Sequence, residues 1–201
     1  MAAPVRIGIF GGTFDPIHTA HLELADVVRV TLGLDRMLLV VANRPWQKEG
    51  ERVVTPAADR YAMVEAAVRG WPGLEPSRIE IDRGGTSYTI DTVRELRRGG
   101  PGVELTLVIG SDVVAGLTSW KDHAQLAELV TLAVVGRPGV DPVDPVDPPP
   151  GWRSVHVPAA PFEVSSTELR RRLEGGETVE GLVPEAVIRC IRQRGLYATG
   201  R

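Results

Sequence analysis

The sequence predicts an α/β fold, a doubly wound parallel sheet with helices on both faces and a helical C-terminus. Three observations carry this: short apolar β-branched runs recur along the chain, stretches with helical spacing separate them, and the first run empties into paired glycines. Val5-Arg6-Ile7-Gly8-Ile9-Phe10 is the first strand, and the glycines after it force a tight turn. From His18 onward, Leu24, Val27, Val28 and Leu32 form the stripe with which a helix packs on a sheet, and Gly33 is placed to end it. Met37 to Ala42 is strand-like, and Thr55-Pro56 opens a helix through Gly70, with threonine as cap and proline at its first position.

The alternation continues. Ile79-Glu80-Ile81 reads as a further strand, and a helix spans Ile90 to Arg98. Glu104 to Ile109 is a strand ending in Gly110-Ser111-Asp112, and Leu129 to Val135 is another. The proline-rich stretch from Gly136 to Gly151, with its Asp-Pro repeats, reads as a surface loop whose ends lie close together, not as a domain boundary. Two helices close the chain. Ser165 and Glu168 suit a capping box at the start of one, and Pro184 opens the other.

At 201 residues the chain fits one domain, residues 1–201. With 43% hydrophobic and 24% charged residues it has ordinary globular composition. A net charge of -3 gives no broad footprint for a nucleic acid, and the longest apolar runs are strand-sized, so neither nucleic acid nor membrane is expected as a partner. The N-terminus lacks a cationic region followed by an apolar run, and the expected location is cytoplasmic. Cys190, the only cysteine, reads as a buried structural thiol. Composition leaves open whether the chain assembles as a homo-oligomer.

Chemistry concentrates in Gly11-Gly12-Thr13-Phe14-Asp15-Pro16-Ile17-His18-Thr19-Ala20-His21, between the first strand and the first helix. Paired glycines let backbone approach a ligand closely, a helix N-terminus offers unpaired N–H groups, and two histidines can donate to phosphate oxygens. The stretch is neither a Walker loop, since no Gly-Lys-Ser/Thr follows, nor a G-x-G-x-x-G loop. Zinc ligation by His18 and His21 fits poorly: they stand three apart, the helical zinc motif uses four with an intervening glutamate, and no third ligand is evident. A purely structural histidine pair is the other reading.

This stretch resembles the signature of bacterial nicotinate-nucleotide adenylyltransferases, of the nucleotidyltransferase superfamily with the HxGH-type motif. Ala20 stands where that family usually has glycine, which implies slightly tighter packing against ATP. The resemblance runs on through Ser87-Tyr88-Thr89-Ile90-Asp91-Thr92, Gly110-Ser111-Asp112 with Trp120, and Ser165-Ser166-Thr167-Glu168-Leu169-Arg170, in the family's order. It implies a Rossmann-like fold and an ATP site of Gly11, Gly12, Thr13, Phe14, His18, His21, Gly110, Asp112, Ser166, Thr167 and Arg170. The mononucleotide falls to Lys48, Thr86, Ser87, Tyr88, Thr89 and Trp120, with Trp120 stacked on the pyridine and backbone N–H groups of the 86–89 segment on the carboxylate. Read without the resemblance, Trp120 suits a core position and Asp112 an N-cap. In the loop Asn43 to Lys48, Trp46 and Gln47 replace the family's proline and histidine, whereas Lys48 is kept.

The reaction so implied is transfer of the adenylyl group of ATP to nicotinate mononucleotide, giving nicotinate adenine dinucleotide and pyrophosphate in NAD biosynthesis. The 5'-phosphate attacks the α-phosphorus in line, with no covalent enzyme intermediate. His18, His21, Lys48 and Arg170 are the candidate catalytic residues, stabilising charge rather than moving protons. Mg2+ is expected to accompany ATP, held by phosphate and water without a dedicated protein cage. Nicotinamide mononucleotide and phosphopantetheine are rival acceptors, and a non-catalytic adenine-nucleotide sensor is a rival of another class.

Overall fold

The structure, a computed structural model, describes residues 3–45, 53–100, 102–136, 147–158 and 164–198. Its sheet has six strands, β1 Val5–Gly12, β2 Arg36–Val41, β3 Leu74–Ser77, β4 Val103–Gly110, β5 Thr131–Val135 and β6 Arg153–Val157. Every neighbouring pair is parallel, in the spatial order β3-β2-β1-β4-β5-β6. The chain builds outward from β1 to one side, then returns to build from its other side. A crevice therefore opens beyond the carboxyl ends of β1 and β4, where open α/β sheets bind their ligands.

Helices α1 Thr19–Thr31, α2 Ala57–Ala67, α3 Ile79–Arg83, α4 Thr89–Arg98, α5 Ser111–Val114, α6 His123–Leu129, α7 Ser166–Glu174 and α8 Glu185–Arg194 cover the two faces. Strand periodicity divides the core. Met37, Leu39 and Val41 of β2 enter one layer with Leu22 and Val28 of α1, Met63 of α2, Leu169 of α7 and Ile188 of α8. Leu38 and Val40 point the other way, to Ile90 and Val93 of α4 and Leu126 of α6. A strand buried on both faces needs apolar residues throughout, which is why β2 reads as an unbroken hydrophobic run.

Four sequence expectations shift. Ile79-Glu80-Ile81 is the start of α3, not a strand; the strand lies upstream at Leu74–Ser77. Alternation over three residues fits either state, and the buried Glu80 decides it by accepting the Thr92 hydroxyl at 2.6 Å, which docks α3 on α4. Pro56, not Thr55, is the N-cap of α2, and it makes no side-chain cap bond. The apolar stretch from Leu129 divides, Leu129 closing α6 and Thr131 opening β5. Because β6 is parallel to β5, with Thr131 opposite Arg153, the 136–152 connection must return from the carboxyl end of β5 to the amino end of β6. Its ends therefore lie at opposite ends of the sheet, not close together; of that stretch, 137–146 lie outside the described residues.

One buried charge organises the loops above the sheet. Arg60 of α2 is 1% exposed and forks across three backbone carbonyls: Nε to Thr55 at 2.7 Å, Nη1 to Thr13 at 2.8 Å and Nη2 to Asn43 at 3.1 Å. It thus ties the turn after β1, the turn after β2 and the entry to α2. Replacing Arg60 with leucine leaves those carbonyls without this donor, and buried unmet acceptors are costly, so Arg60→Leu should lower unfolding free energy by about 2 to 4 kcal/mol. Urea unfolding measures it, and a loss below about 0.5 kcal/mol would show that the fork holds nothing in place.

Candidate active site

The carboxyl end of β1 delivers Gly11 and Gly12 into a turn that enters α1 at His18, its N-cap. A Cβ on Gly12 would lie 2.8 Å from the Phe14 ring, so only glycine lets that ring pack beneath the strand end. Phe14 itself has a left-handed backbone, φ 48°, and is buried. Its ring meets the imidazole of His21 edge-on, with centroids 5.2 Å apart, and Phe10 approaches the same imidazole at 6.0 Å. Phe14 is therefore a support for His21 and does not line the cavity.

His18 and His21 stack at 3.7 Å between ring centroids. The backbone N–H of His18 donates to Nδ1 of His21 at 3.4 Å, which places the proton of a neutral His21 on Nε2. His18 is 5% exposed, and burial pulls its pKa down to about 4, so it is neutral at pH 7. Its Nδ1 has no hydrogen-bond partner among the described residues. A buried polar atom without a partner is uncommon and needs a reason, and a ligand in the adjoining cavity would supply one.

The second half of the site arrives from more than a hundred residues later. Ser165 caps α7 by accepting the Glu168 N–H at 3.2 Å, and Glu168 turns its carboxylate to Arg171 and Arg172, which holds it well below the usual range. The Ser166 hydroxyl donates to the Pro16 carbonyl at 3.0 Å, and Nη1 of Arg170 donates to the Asp15 carbonyl at 2.7 Å. These bonds fasten the amino end of α7 against the turn that precedes α1. Two helix N-termini, each a source of positive potential, thereby open on one space. That space is a cavity of about 870 Å³ lined by His18, His21, Ser166, Thr167 and Arg170, with Gly110 at the end of β4.

At its other end the cavity is walled by Ser87, Tyr88, Thr89, Trp120 and Lys121. Trp120 follows a 3-10 turn at Leu117–Ser119, packs against the second core layer and lines the cavity. Tyr88 is the N-cap of α4, whose first turn receives no side-chain cap bond. Ser87 accepts the Asn43 N–H at 2.8 Å and its own N–H donates to the Arg44 carbonyl at 3.0 Å, so the segment hangs from the turn after β2.

Most of the expected residues are brought together: Gly11, Gly12, Thr13, His18, His21, Gly110, Ser166, Thr167, Arg170, Ser87, Tyr88, Thr89 and Trp120 all line the one cavity. Three others are placed elsewhere. Phe14 lies beneath it, Thr86 forms a bridge with Arg44, and Asp112 is exposed on α5 between two lining residues, Gly110 and Val113. Lys48, Trp46 and Gln47 lie outside the described residues. Among the described residues no group of three or more His, Cys, Asp or Glu is placed to hold a metal ion.

Sequence reasoning missed three supports. Asp15, 1% exposed, accepts the Tyr197 hydroxyl at 2.6 Å and the Thr55 N–H at 3.4 Å. Burial and the Asp15 carboxylate push the Tyr197 phenol far above its usual range, which keeps it a donor. No sequence pattern links positions 182 apart. Arg60 was findable, because it occupies the apolar stripe of α2 with Met63, Val64 and Ala67. Lys121 follows Trp120 directly, and its ammonium lies 4.8 Å above the Tyr88 ring.

Residues 9–172 match the cytidylyltransferase-like family model. A "Probable nicotinate-nucleotide adenylyltransferase" of Clavibacter michiganensis subsp. michiganensis is 42% identical over 197 residues, covering 98% of this chain and 96% of the relative. One of Corynebacterium kroppenstedtii, bearing the same name, is 40% identical over 192 residues, covering 96% and 90%. Among solved structures, the Plasmodium falciparum nicotinic acid mononucleotide adenylyltransferase complexed with NaAD superposes with a TM-score of 0.78 at 17% identity, over 96% of this chain and 97% of that one, a likeness of fold. The chain belongs to the cytidylyltransferase-like family and, within it, to the nicotinate-nucleotide adenylyltransferases.

Proposed function

We infer that this chain transfers the adenylyl group of ATP to nicotinate mononucleotide, releasing pyrophosphate and forming nicotinate adenine dinucleotide in NAD biosynthesis. The observation that carries the reading is the two-ended cavity: helix amino ends and histidines at one end, an indole and a phenol at the other, within one space of about 870 Å³. Such a volume is in the range that encloses small ligands. We assign the reaction to residues 1–201 acting as one domain.

ATP is assigned to the β1–α1 turn and the start of α7, with His18 and Arg170 reaching its phosphates. The acceptor is assigned to the opposite wall, its pyridine against Trp120 and its carboxylate toward the first turn of α4. Its 5'-phosphate then faces the α-phosphorus from the side opposite the leaving pyrophosphate. Negative charge accumulates on the transferring group, and fixed donors already aimed there lower the barrier without reorganising. His18, His21 and Arg170 are those donors; Lys48, outside the described residues, is proposed as a further phosphate contact. Magnesium entering with ATP would neutralise phosphate charge at this site.

Purified protein with ATP and magnesium, assayed for pyrophosphate, tests this. Nicotinate mononucleotide should support release well above nicotinamide mononucleotide or phosphopantetheine; ATP binding with no release on any acceptor would instead indicate a nucleotide sensor. In the same assay His18→Ala should lose on the order of 100-fold or more in kcat/KM, as loss of a transition-state donor does. Its fold should persist, because the bond from position 18 to His21 uses the backbone N–H. Near-normal turnover would remove His18 from the mechanism.

The buried His18 also predicts a pH dependence of stability. Its folded pKa of about 4 lies below the ordinary 6.5, so between those values the unfolded chain binds a proton that the native one refuses. Stability is therefore full above pH 6.5 and falls as pH drops toward 4. From pH 7 to pH 5 the wild type should lose roughly 2 kcal/mol more than His18→Gln, read from denaturant midpoints at each pH. Parallel losses in the two proteins would show that His18 titrates normally.

A further inference from the structure

We propose that Lys121 selects a carboxylate over an amide on the acceptor's ring, an inference that rests on the acceptor assignment above. The geometry that carries it is the seat of the ammonium at the cavity wall, 4.8 Å above the Tyr88 ring and next in sequence to Trp120. Lys121 is bonded to Asp91 of α4 at 2.8 Å. That contact uses one of the three protons of an ammonium, so the group can take a second partner without leaving the first.

The neighbouring cation is committed elsewhere. Arg94 spans Asp91 at 3.3 Å and Asp122 at 2.8 Å, bonds Gln125 as well, and does not line the cavity. Asp91, held below its usual range with Lys121 as hydrogen-bonding partner, remains ionised and fixes the ammonium over the phenol. Lys121, Arg94, Asp91 and Asp122 balance to zero formal charge, and Glu80, which also lines the cavity, is paired with Arg83 at 3.8 Å, so Lys121 is the cation an incoming carboxylate meets at this wall.

A single backbone N–H on the shared oxygen does not discriminate. A carboxylate and a primary amide each present an oxygen to an N–H, and they differ at the second atom, an anionic acceptor in one and an NH2 donor in the other. An ammonium attracts the first and repels the second, so it supplies both halves of the discrimination. Lys121 is thereby a specificity-determining residue for the acceptor, distinct from the donors that face the phosphates.

The test compares wild type, Lys121→Gln and Lys121→Arg, full-length, for pyrophosphate release with nicotinate mononucleotide and with nicotinamide mononucleotide, the amide also serving as a competitor. The Lys121 side chain is 42% exposed, so neither substitution empties the core. Lys121→Gln should lower kcat/KM for the nicotinate acceptor on the order of tenfold through KM, change the amide's values less than about twofold, and Lys121→Arg should restore most of the preference. Equal losses on both acceptors, or an unchanged ratio, would overturn the assignment of Lys121. Wild-type protein releasing no pyrophosphate with either acceptor would overturn the acceptor assignment itself, and the proposal with it.

Discussion

The site depends on a constraint that has nothing to do with substrate: the turn after β1, the turn after β2, the entry to α2 and the segment at Tyr197 must be held together above the sheet. Two buried charged residues, Asp15 and Arg60, do this with hydrogen bonds to backbone and phenol. A charge in the interior costs several kcal/mol unless its bonds are met, so the folded state tolerates these two only when the turns are in place. The same requirement that makes them costly makes the arrangement all-or-none. Arg170 completes it, since the guanidinium assigned to phosphate also anchors on the Asp15 carbonyl.

Electrostatics here is local. The chain carries a net charge of -3, yet the cavity takes two polyanions in the proposed reaction. Attraction comes from directed groups at short range: the amino ends of α1 and α7, Arg170, and imidazole N–H donors whose orientation is set by ring packing. Parallel topology creates the opportunity, because the reversal between β1 and β4 leaves their carboxyl ends open to the same space.

Much of the sheet was legible because its signals are local. The first two strand runs, the glycine turn and the Ser165 cap each act over a few residues, and each lies where the sequence places it. Failures came where the deciding contact is distant. Ile79–Ile81 became helical through Glu80 meeting Thr92, Thr55 was drawn from capping into the Arg60 network, and the 136–152 connection is set by β6, which the reading did not contain. The resemblance places Phe14, Thr86 and Asp112 among the binding residues; in the structure the Phe14 ring is buried against His21, and none of the three is among the residues that line the cavity. A motif names a neighbourhood, and backbone direction decides which of its side chains face the cavity.

Burial of His18 links folding to chemistry. An exposed imidazole would share its proton with water near neutral pH and could face phosphate in either state; this one is held neutral by desolvation, with Nδ1 lacking any partner among the described residues. An anion entering the cavity opposes that desolvation, because a negative charge nearby favours the protonated ring. In the proposed reaction the triphosphate would supply the partner that Nδ1 lacks among the described residues, so part of the energy of binding would come from a cost already incurred in folding. As negative charge builds on the transferring phosphoryl group that interaction would strengthen, and an interaction stronger in the transition state than in the ground state is what catalysis requires.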